Sequence, residues 1–358
     1  MIEKKPGQLK FGELPQKEAA HLRRERKKGA RPVENLEVYD IYRLTPLIRE
    51  AVLEDSERYR KGRGQFQAES NKILQKVWGE DVALPDYVSP STIANCLRWI
   101  GYEKFGYKPA PRTFEAEMGM KLGGAGHYAL LNILRRFGIK EQSILEDETG
   151  ISGRLDFIFR HPVTGEYQVL DLKFPGDWGF KQIKREGLPE YLKKTKDIYN
   201  PSHEARLQLL IYMGAKRRKG CNVTMGNIIY INRDNGKMKE CIVPWDALAE
   251  HDMKEFLGNL AEARKKIQKK ELPESTAVSK YVCKSFCHYS HHCEEGKKFL
   301  AGKIKRGRKR RPQWVYRKAR EQAEERKQKM IERGIVQPEL PLKMSEEHVA
   351  DPTSPETE

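Results

Sequence analysis

Two aspartates and a lysine near the middle of the chain have types and spacing suited to metal chemistry. Asp156 lies in one apolar run, and Asp171 and Lys173 lie in the next. The midpoint between the aspartates falls inside a predicted turn, so a hairpin would place the two carboxylates opposite each other. Strand side chains alternate, and Lys173 should therefore face the same side as Asp171. Two carboxylates beside an ammonium suit Mg²⁺ or Mn²⁺, which polarises a phosphate and activates water.

The alternative interpretation is that these residues make ordinary cross-strand ion pairs. Asp171 follows Val169 and Leu170 in an otherwise apolar strand. An unpaired charge is costly in such a strand, and this favours a functional role.

The surrounding pattern predicts the elements that would hold these side chains. Ser89 begins a helix, and the periodicity of apolar residues predicts a second helix over 114–137. Strands are predicted over 151–160 and 166–174, and again over 226–233 and 238–244 around an Asn-Gly turn. Two further helices are predicted over 203–218 and 246–270.

Four motifs resemble those of a known nuclease family. Gly153 to Ile158 and Val169 to Lys173 resemble motifs II and III of the PD-(D/E)XK nucleases. Gln208 and Tyr212 match the Gln-x-x-x-Tyr motif of the RecB-like branch, which includes the AddB nuclease and the CRISPR-associated RecB-like exonucleases. Gly126-His127 resembles motif I of that branch. The resemblance covers about 87–300.

The resemblance implies a restriction-endonuclease-like α/β core, in which a mixed central sheet is flanked by helices. It implies that His127, Asp156 and Asp171 bind Mg²⁺ or Mn²⁺. It also implies a catalytic set of Asp156, Asp171, Lys173, Gln208 and Tyr212. The alternatives are that His127 is an ordinary core histidine, and that Gln208 and Tyr212 pack one helical turn apart without a catalytic role.

The expected activity is metal-dependent hydrolysis of DNA, as an end-dependent exonuclease on single-stranded or resected DNA. The expected setting is recombination, repair, or DNA processing of the phage or CRISPR type. Two alternatives remain, a non-catalytic nucleic-acid-binding protein and a structure-specific endonuclease or junction resolvase on the same fold. The sequence contains no P-loop, so unwinding would require a partner such as a helicase or a single-strand-binding protein.

A cysteine cluster ends the predicted nuclease domain. Cys283, Cys287 and Cys293 lie close together, and Cys96 lies far upstream. Four thiolates can hold a metal centre that joins the two ends of the domain. The arrangement resembles the iron-sulfur (4Fe-4S) version of the RecB-like fold, although three residues, rather than the family's usual two, separate Cys283 from Cys287. Zinc is the alternative because three histidines lie nearby, namely His288, His291 and His292. The other two cysteines, Cys221 and Cys241, are expected to be free thiols.

The formal net charge of +17 favours a polyanionic partner, and DNA is the expected one. Between the catalytic strand and the Gln-x-x-x-Tyr helix, aromatic residues alternate with cations, which suits a single-stranded path. The expected DNA-binding residues are Trp178, Lys181, Lys184, Arg185, Lys193 and Lys194. The alternative is a solvated surface whose aromatic rings, including Phe180 and Tyr191, turn inward.

The domain boundaries follow shifts in composition. Residues 1–86 form a polar, basic and mostly helical extension, and 87–300 form the nuclease domain. Residues 301–335 form a basic helical arm, and 336–358 form an acidic tail expected to be disordered. Gln337 to Leu342 is similar to peptides that bind the bacterial sliding clamp. The sequence has no membrane-length apolar run and no signal peptide, so we expect a cytoplasmic protein, associated with the nucleoid in a bacterium or phage.

Overall fold

A mixed five-stranded sheet forms the centre of the protein in the computed structural model. The structure describes residues 88–111, 113–134, 138–146, 149–161, 164–304 and 310–336, together with scattered residues between 39 and 52. The strands run in sheet order as β1 (Ile139–Glu146), β2 (Ile151–Arg160), β3 (Tyr167–Lys173), β4 (Val223–Ile231) and β5 (Met238–Pro244). The β3 and β4 pair is parallel, and the other three pairs are antiparallel.

Nine helices within the described ranges accompany the sheet. Three precede it: α1 (Pro90–Asn95), α2 (Arg98–Lys104) and α3 (Phe114–Leu134). Three lie between β3 and β4: α4 (Asp177–Lys181), α5 (Glu190–Lys193) and α6 (His203–Arg218). Three follow β5: α7 (Ala247–Gln268), α8 (Glu294–Leu300) and α9 (Gln313–Glu332). A short π-helix, Val282–Phe286, lies between α7 and α8 and is called the π-turn below.

Apolar side chains cover both faces of the sheet because the strand residues alternate. On one face, Val169 and Ile228 pack with α6 through Leu209. On the other face, Leu170 packs with α3 through Leu131. The predicted α/β architecture, a mixed central sheet with helices on both faces, is therefore confirmed.

The predicted hairpins and long helices are present with shifts of a few residues at their ends. Gly236 has a φ of 71° in the turn between β4 and β5, a conformation that glycine adopts without steric cost. The sequence did not predict β1. Its residues, Ile-Lys-Glu-Gln-Ser-Ile-Leu-Glu, form an edge strand, and an edge strand needs no continuous apolar run.

Parts of both expected extensions pack on this core. The backbone N–H groups of Leu44 and Thr45 donate to the buried Glu240 carboxylate on β5, at 2.6 and 3.0 Å. Helix α9 packs against α7 and buries Val315 and Ala319. The expected acidic tail, 336–358, lies outside the described residues except for Val336, and so does the clamp-like peptide. None of the helices described is both long enough and apolar enough to cross a membrane.

Candidate active site

The two aspartates lie side by side where strands β2 and β3 separate. The antiparallel pairing ends at Phe157 opposite Leu170, and the next residue on each strand is Asp156 and Asp171. The sequence predicts this opposition, and the register agrees with it. Both carboxylates are buried, and Asp156 Oδ2 accepts a hydrogen bond of 2.7 Å from the backbone N–H of Leu172. Asp156 is thereby fixed to the neighbouring strand.

Lys173 connects this acidic pair to helix α6. Its Nζ lies 3.0 Å from Asp171 Oδ1 and 2.9 Å from Asp171 Oδ2, and it donates to Gln208 Oε1 at 2.9 Å. Gln208 Nε2 in turn donates to the hydroxyl of Tyr212 at 3.3 Å. The i,i+4 spacing on α6 makes the last contact possible. The ammonium is thus held between a carboxylate and an amide that is itself oriented by Tyr212.

His127 reaches the same place from helix α3. Its Nε2 lies 3.2 Å from Asp156 Oδ1. Helix α3 approaches closely because Gly126 faces the ring of Phe174, where an added Cβ would lie 2.9 Å from that ring. The five residues that the resemblance implies as catalytic, and the histidine it implies as a ligand, therefore lie in one cluster.

Burial and the neighbouring charges shift the pKa values in this cluster. Burial raises the pKa of Asp171 to about 6, the Asp156 carboxylate adds to the rise, and Lys173 opposes it. Burial lowers the pKa of His127, but the close contact with the negatively charged Asp156 outweighs that effect and the net pKa is raised. Raised pKa values of this kind are common at functional sites.

The donor set fits a hard divalent cation. Asp171 Oδ2 and His127 Nε2 are buried, and neither makes a hydrogen bond of good geometry, although Lys173 and Asp156 lie within 2.9 and 3.2 Å of them respectively. Two carboxylates and an imidazole are oxygen and nitrogen ligands that Mg²⁺ or Mn²⁺ accepts. In the described part of the chain, however, no three His, Cys, Asp or Glu side chains are already grouped closely enough to hold a metal ion. The ligands therefore surround the site without converging on one point.

Four cysteines, which come from near the two ends of the 87–300 segment, line one cavity. Cys96 comes from the end of α1, Cys283 from the π-turn, and Cys287 and Cys293 from the chain that follows. The lining side chains leave a cavity volume of about 10 Å³, which is room for about one water-sized sphere. Cys221 and Cys241 do not line it. The four thiols named from the sequence are thus brought together around one space.

The π-turn accounts for the additional residue between Cys283 and Cys287. The N–H of Cys287 donates to the carbonyl of Val282, five residues earlier, at 2.9 Å. A hydrogen bond of the π type encloses one more residue than a bond of the α type, so the longer spacing still directs both thiols to the cavity. The three nearby histidines are not among the residues that line this cavity.

Polar groups that the sequence did not single out contact three of these sulfur atoms, and Ser275 Oγ lies 3.3 Å from Cys96 Sγ. Trp99 Nε1 donates to Cys287 Sγ at 3.0 Å, and the backbone N–H of Gly296 donates to Cys293 Sγ at 3.2 Å. Burial raises the pKa of the Cys287 thiol to about 11, although the contact with Trp99 lowers it. Trp99 follows Cys96 by only three residues, and this closeness in sequence was a signal that could have placed it near the cluster. The chemistry of four thiols, two of them with N–H donors, suits a thiolate-bound metal centre, although among the described residues no three of these thiols are already close enough together to hold a metal ion.

The expected DNA-binding side chains lie at the surface after β3. All six are exposed, but several also have local partners. Lys181 pairs with Asp177, Lys193 pairs with Glu190, and Arg185 donates to the carbonyl oxygens of Lys193 and Thr195. Two other rings of this segment turn inward, since Phe180 is buried and the hydroxyl of Tyr191 contacts Asp246.

No protein-family model matches the sequence, and no curated protein matches it. Among solved structures, the chain is similar to the protein SSO0001, with 19% identity, a TM-score of 0.37, and coverage of 64% of this chain and 96% of that one. It is also similar to an alkaline exonuclease, LHK-Exo, from Laribacter hongkongensis, with 14% identity, a TM-score of 0.32, and coverage of 52% and 93%. The same exonuclease in complex with dAMP gives 14% identity, a TM-score of 0.35, and coverage of 51% and 91%. At this level of similarity, the functional assignment rests on the side chains of the site.

Proposed function

We propose that this protein is a metal-dependent DNA nuclease of the RecB-like PD-(D/E)XK type. The observation that carries the proposal is the series of contacts from Asp171 through Lys173 to Gln208 and Tyr212, beside Asp156 and His127. An ordinary ion pair between neighbouring strands would not require the further contacts with Gln208 and Tyr212. Here the ammonium is held in a fixed position at the end of a buried acidic pair, where a phosphate can approach it.

Each residue of the candidate active site would have a role that follows from its chemistry. Asp156, Asp171 and His127 would hold Mg²⁺ or Mn²⁺, which supplies charge to the scissile phosphate and a more acidic water. Lys173 lies where an ammonium can orient that water or stabilise charge on the phosphoryl oxygens. Gln208 and Tyr212 are positioning residues, because they act on the ammonium and not on the substrate.

Cleavage of end-labelled DNA tests this proposal. Purified full-length protein is incubated with single- and double-stranded DNA, with free or blocked ends, in the presence of Mg²⁺, Mn²⁺ or a chelator. We expect metal-dependent cleavage that requires a free end. Cleavage of strands with blocked ends would instead indicate an endonuclease or junction resolvase.

Two variants and one control assign the chemistry to residues. Asp171→Asn and Lys173→Ala should abolish cleavage while DNA affinity is largely kept, because most binding comes from phosphate contacts elsewhere. Asp177→Asn is the matched control, since Asp177 is an exposed carboxylate on α4 that pairs with Lys181. Metal-dependent cleavage retained in both test variants would refute the assignment, and binding without any cleavage by the unmodified protein would favour the non-catalytic alternative.

We also propose that Cys96, Cys283, Cys287 and Cys293 hold an iron-sulfur cluster of the 4Fe-4S type. Two observations support thiolate ligation, namely that all four thiols line one cavity and that no histidine is among its lining residues. Such a centre stabilises the fold, because it joins α1 to a segment nearly two hundred residues later. Protein purified without oxygen should be brown and contain iron. A colourless protein with stoichiometric zinc would overturn the iron assignment and leave the nuclease proposal intact.

The biological setting is a further part of the proposal. DNA recombination, repair, or phage or CRISPR-type processing would each use an end-dependent nuclease, with unwinding supplied by a helicase or a single-strand-binding protein. A sliding clamp would contact Gln337 to Leu342. Co-purification with such partners tests each of these interactions.

A further inference from the structure

Three aromatic rings form an exposed cluster on the surface. Trp178, Tyr281 and Phe286 are 58%, 42% and 48% exposed. The ring centroids of Trp178 and Tyr281 are 5.0 Å apart, and those of Tyr281 and Phe286 are 5.1 Å apart. Rings that touch each other yet remain open to solvent form a larger apolar patch than isolated surface residues do. A patch of this kind commonly marks a binding site.

The chain connects this cluster to both the acidic site and the cysteine cavity. Trp178 is five residues beyond Lys173, so the chain between them spans at most about 18 Å. Tyr281 immediately precedes the π-turn and Phe286 is its last residue, and the π-turn carries Cys283. The rings are therefore attached both to the catalytic strand and to the cysteine-bearing turn. A strand that stacks its bases at about 3.4 Å each would reach from the rings to Lys173 within about five nucleotides.

The charges around the rings indicate the chemistry of the occupant. Lys284 lies in the π-turn, between Tyr281 and Phe286 in the sequence, and its side chain is exposed. Lys280, which immediately precedes Tyr281, is also exposed. Lys181 is exposed on the same short helix as Trp178. Flat apolar faces interleaved with cations match a chain of stacked bases joined by phosphates. An apolar protein surface would place these ammonium groups against carbon atoms.

We propose that Trp178, Tyr281 and Phe286 form a base-stacking platform that holds the unpaired bases of a single DNA strand next to the nuclease site. This inference rests on the proposed nuclease function for its biological meaning, but binding to the platform requires neither metal nor cleavage. The platform accepts any sequence, because every base has an aromatic face. The π-turn makes the position of two of its rings depend on the fold around Cys283.

A normal strand and an abasic strand together distinguish the contribution of base stacking to DNA binding from that of phosphate contacts. Fluorescence anisotropy is measured on full-length protein without added Mg²⁺ or Mn²⁺, with a labelled single-stranded oligonucleotide and with an abasic strand of the same length. We expect Trp178→Ala and Phe286→Leu each to weaken binding of the normal strand about tenfold, as loss of one stacked base predicts. Affinity for the abasic strand should be unchanged, because its phosphates are intact.

Conservative and distant variants serve as controls. Trp178→Phe and Phe286→Tyr retain a ring and should bind like the unmodified protein. Phe114→Ala removes a ring at the start of α3 that is 74% exposed and lies outside the cluster, and it should have no effect. Visible absorption and the thermal midpoint of each variant report whether the cysteine centre and the fold survive.

The results separate the platform from the nuclease proposal. Equal weakening on normal and abasic strands, or no weakening on either, would overturn the platform. A variant that changes only the oligomeric state would also overturn it, and would assign the rings to contact between copies of this chain. Base-dependent binding in a protein that never cleaves DNA would refute the nuclease function while leaving the platform in place.

Discussion

Replacing Asp171 with asparagine should stabilise the metal-free protein at neutral and higher pH. Asp171 is 1% exposed, and burial is the main cause of its raised pKa, about 6 against an ordinary value of 3.8. A group whose pKa is raised by folding contributes stability that is fully present below about pH 3.8 and is lost as the pH rises through about 6. Above that pH, the ionised carboxylate therefore reduces the free energy of unfolding.

The size of the stabilisation follows from the shift in the pKa of Asp171. Two pKa units correspond to about 3 kcal/mol. The pKa of about 6 already includes the attraction of Lys173 for the ionised carboxylate, so the loss of this ionic partner in the variant needs no separate correction. The expected stabilisation is therefore about 3 kcal/mol, or about 5 °C in the thermal midpoint.

Thermal unfolding in a chelating buffer at about pH 8 and about pH 4.5 measures this effect. Asp171→Asn should unfold at a higher temperature than the unmodified protein at the higher pH, and most of the difference should vanish at the lower one. Asp177→Asn is the control for removal of a negative charge. The pKa of Asp177 is lowered by a hydrogen bond from Lys181, so its replacement should give no stabilisation. An Asp171→Asn protein that is less stable at the higher pH, or a difference that does not depend on pH, would refute the reasoning.

Three other outcomes are expected. Cys96→Ser should bleach the visible absorption and lower the thermal midpoint, whereas Cys221→Ser should do neither; equal absorption in both would remove Cys96 from the centre. Gly226→Ala should cost about 1–3 kcal/mol in unfolding measurements, because its Cβ would lie 2.6 and 2.7 Å from two side chains of α6. Gly258→Ala on α7, with nothing within 4 Å, should be neutral or slightly stabilising, and a destabilised protein there would contradict the packing argument. Neutralising three exposed cations of α9, namely Arg317, Lys318 and Arg320, should reduce the slope of the salt dependence of single-strand binding by about 0.7 for each phosphate that the helix no longer neutralises. An unchanged slope would exclude this part of the helix from the DNA path.

The order of residues along the chain was enough to predict the local part of the candidate site. A hairpin pairs residues symmetrically about its turn, so the positions of Asp156 and Asp171 sufficed to place them opposite each other. Alternation along β3 placed Lys173 beside Asp171. The four-residue spacing of Gln208 and Tyr212 placed both on one side of α6. These relations depend on strand and helix periods, which can be read from the sequence directly.

Relations between distant segments depend on the packed fold. Lys173 meets Gln208 because α6 crosses between two parallel strands and packs against the sheet, and His127 meets Asp156 because glycines let α3 approach Phe174. No residue period encodes the contact of Trp178 with Tyr281, which lie about a hundred residues apart. Such contacts depend on how apolar faces pack together, and packing selects one arrangement among many that share the same local pattern.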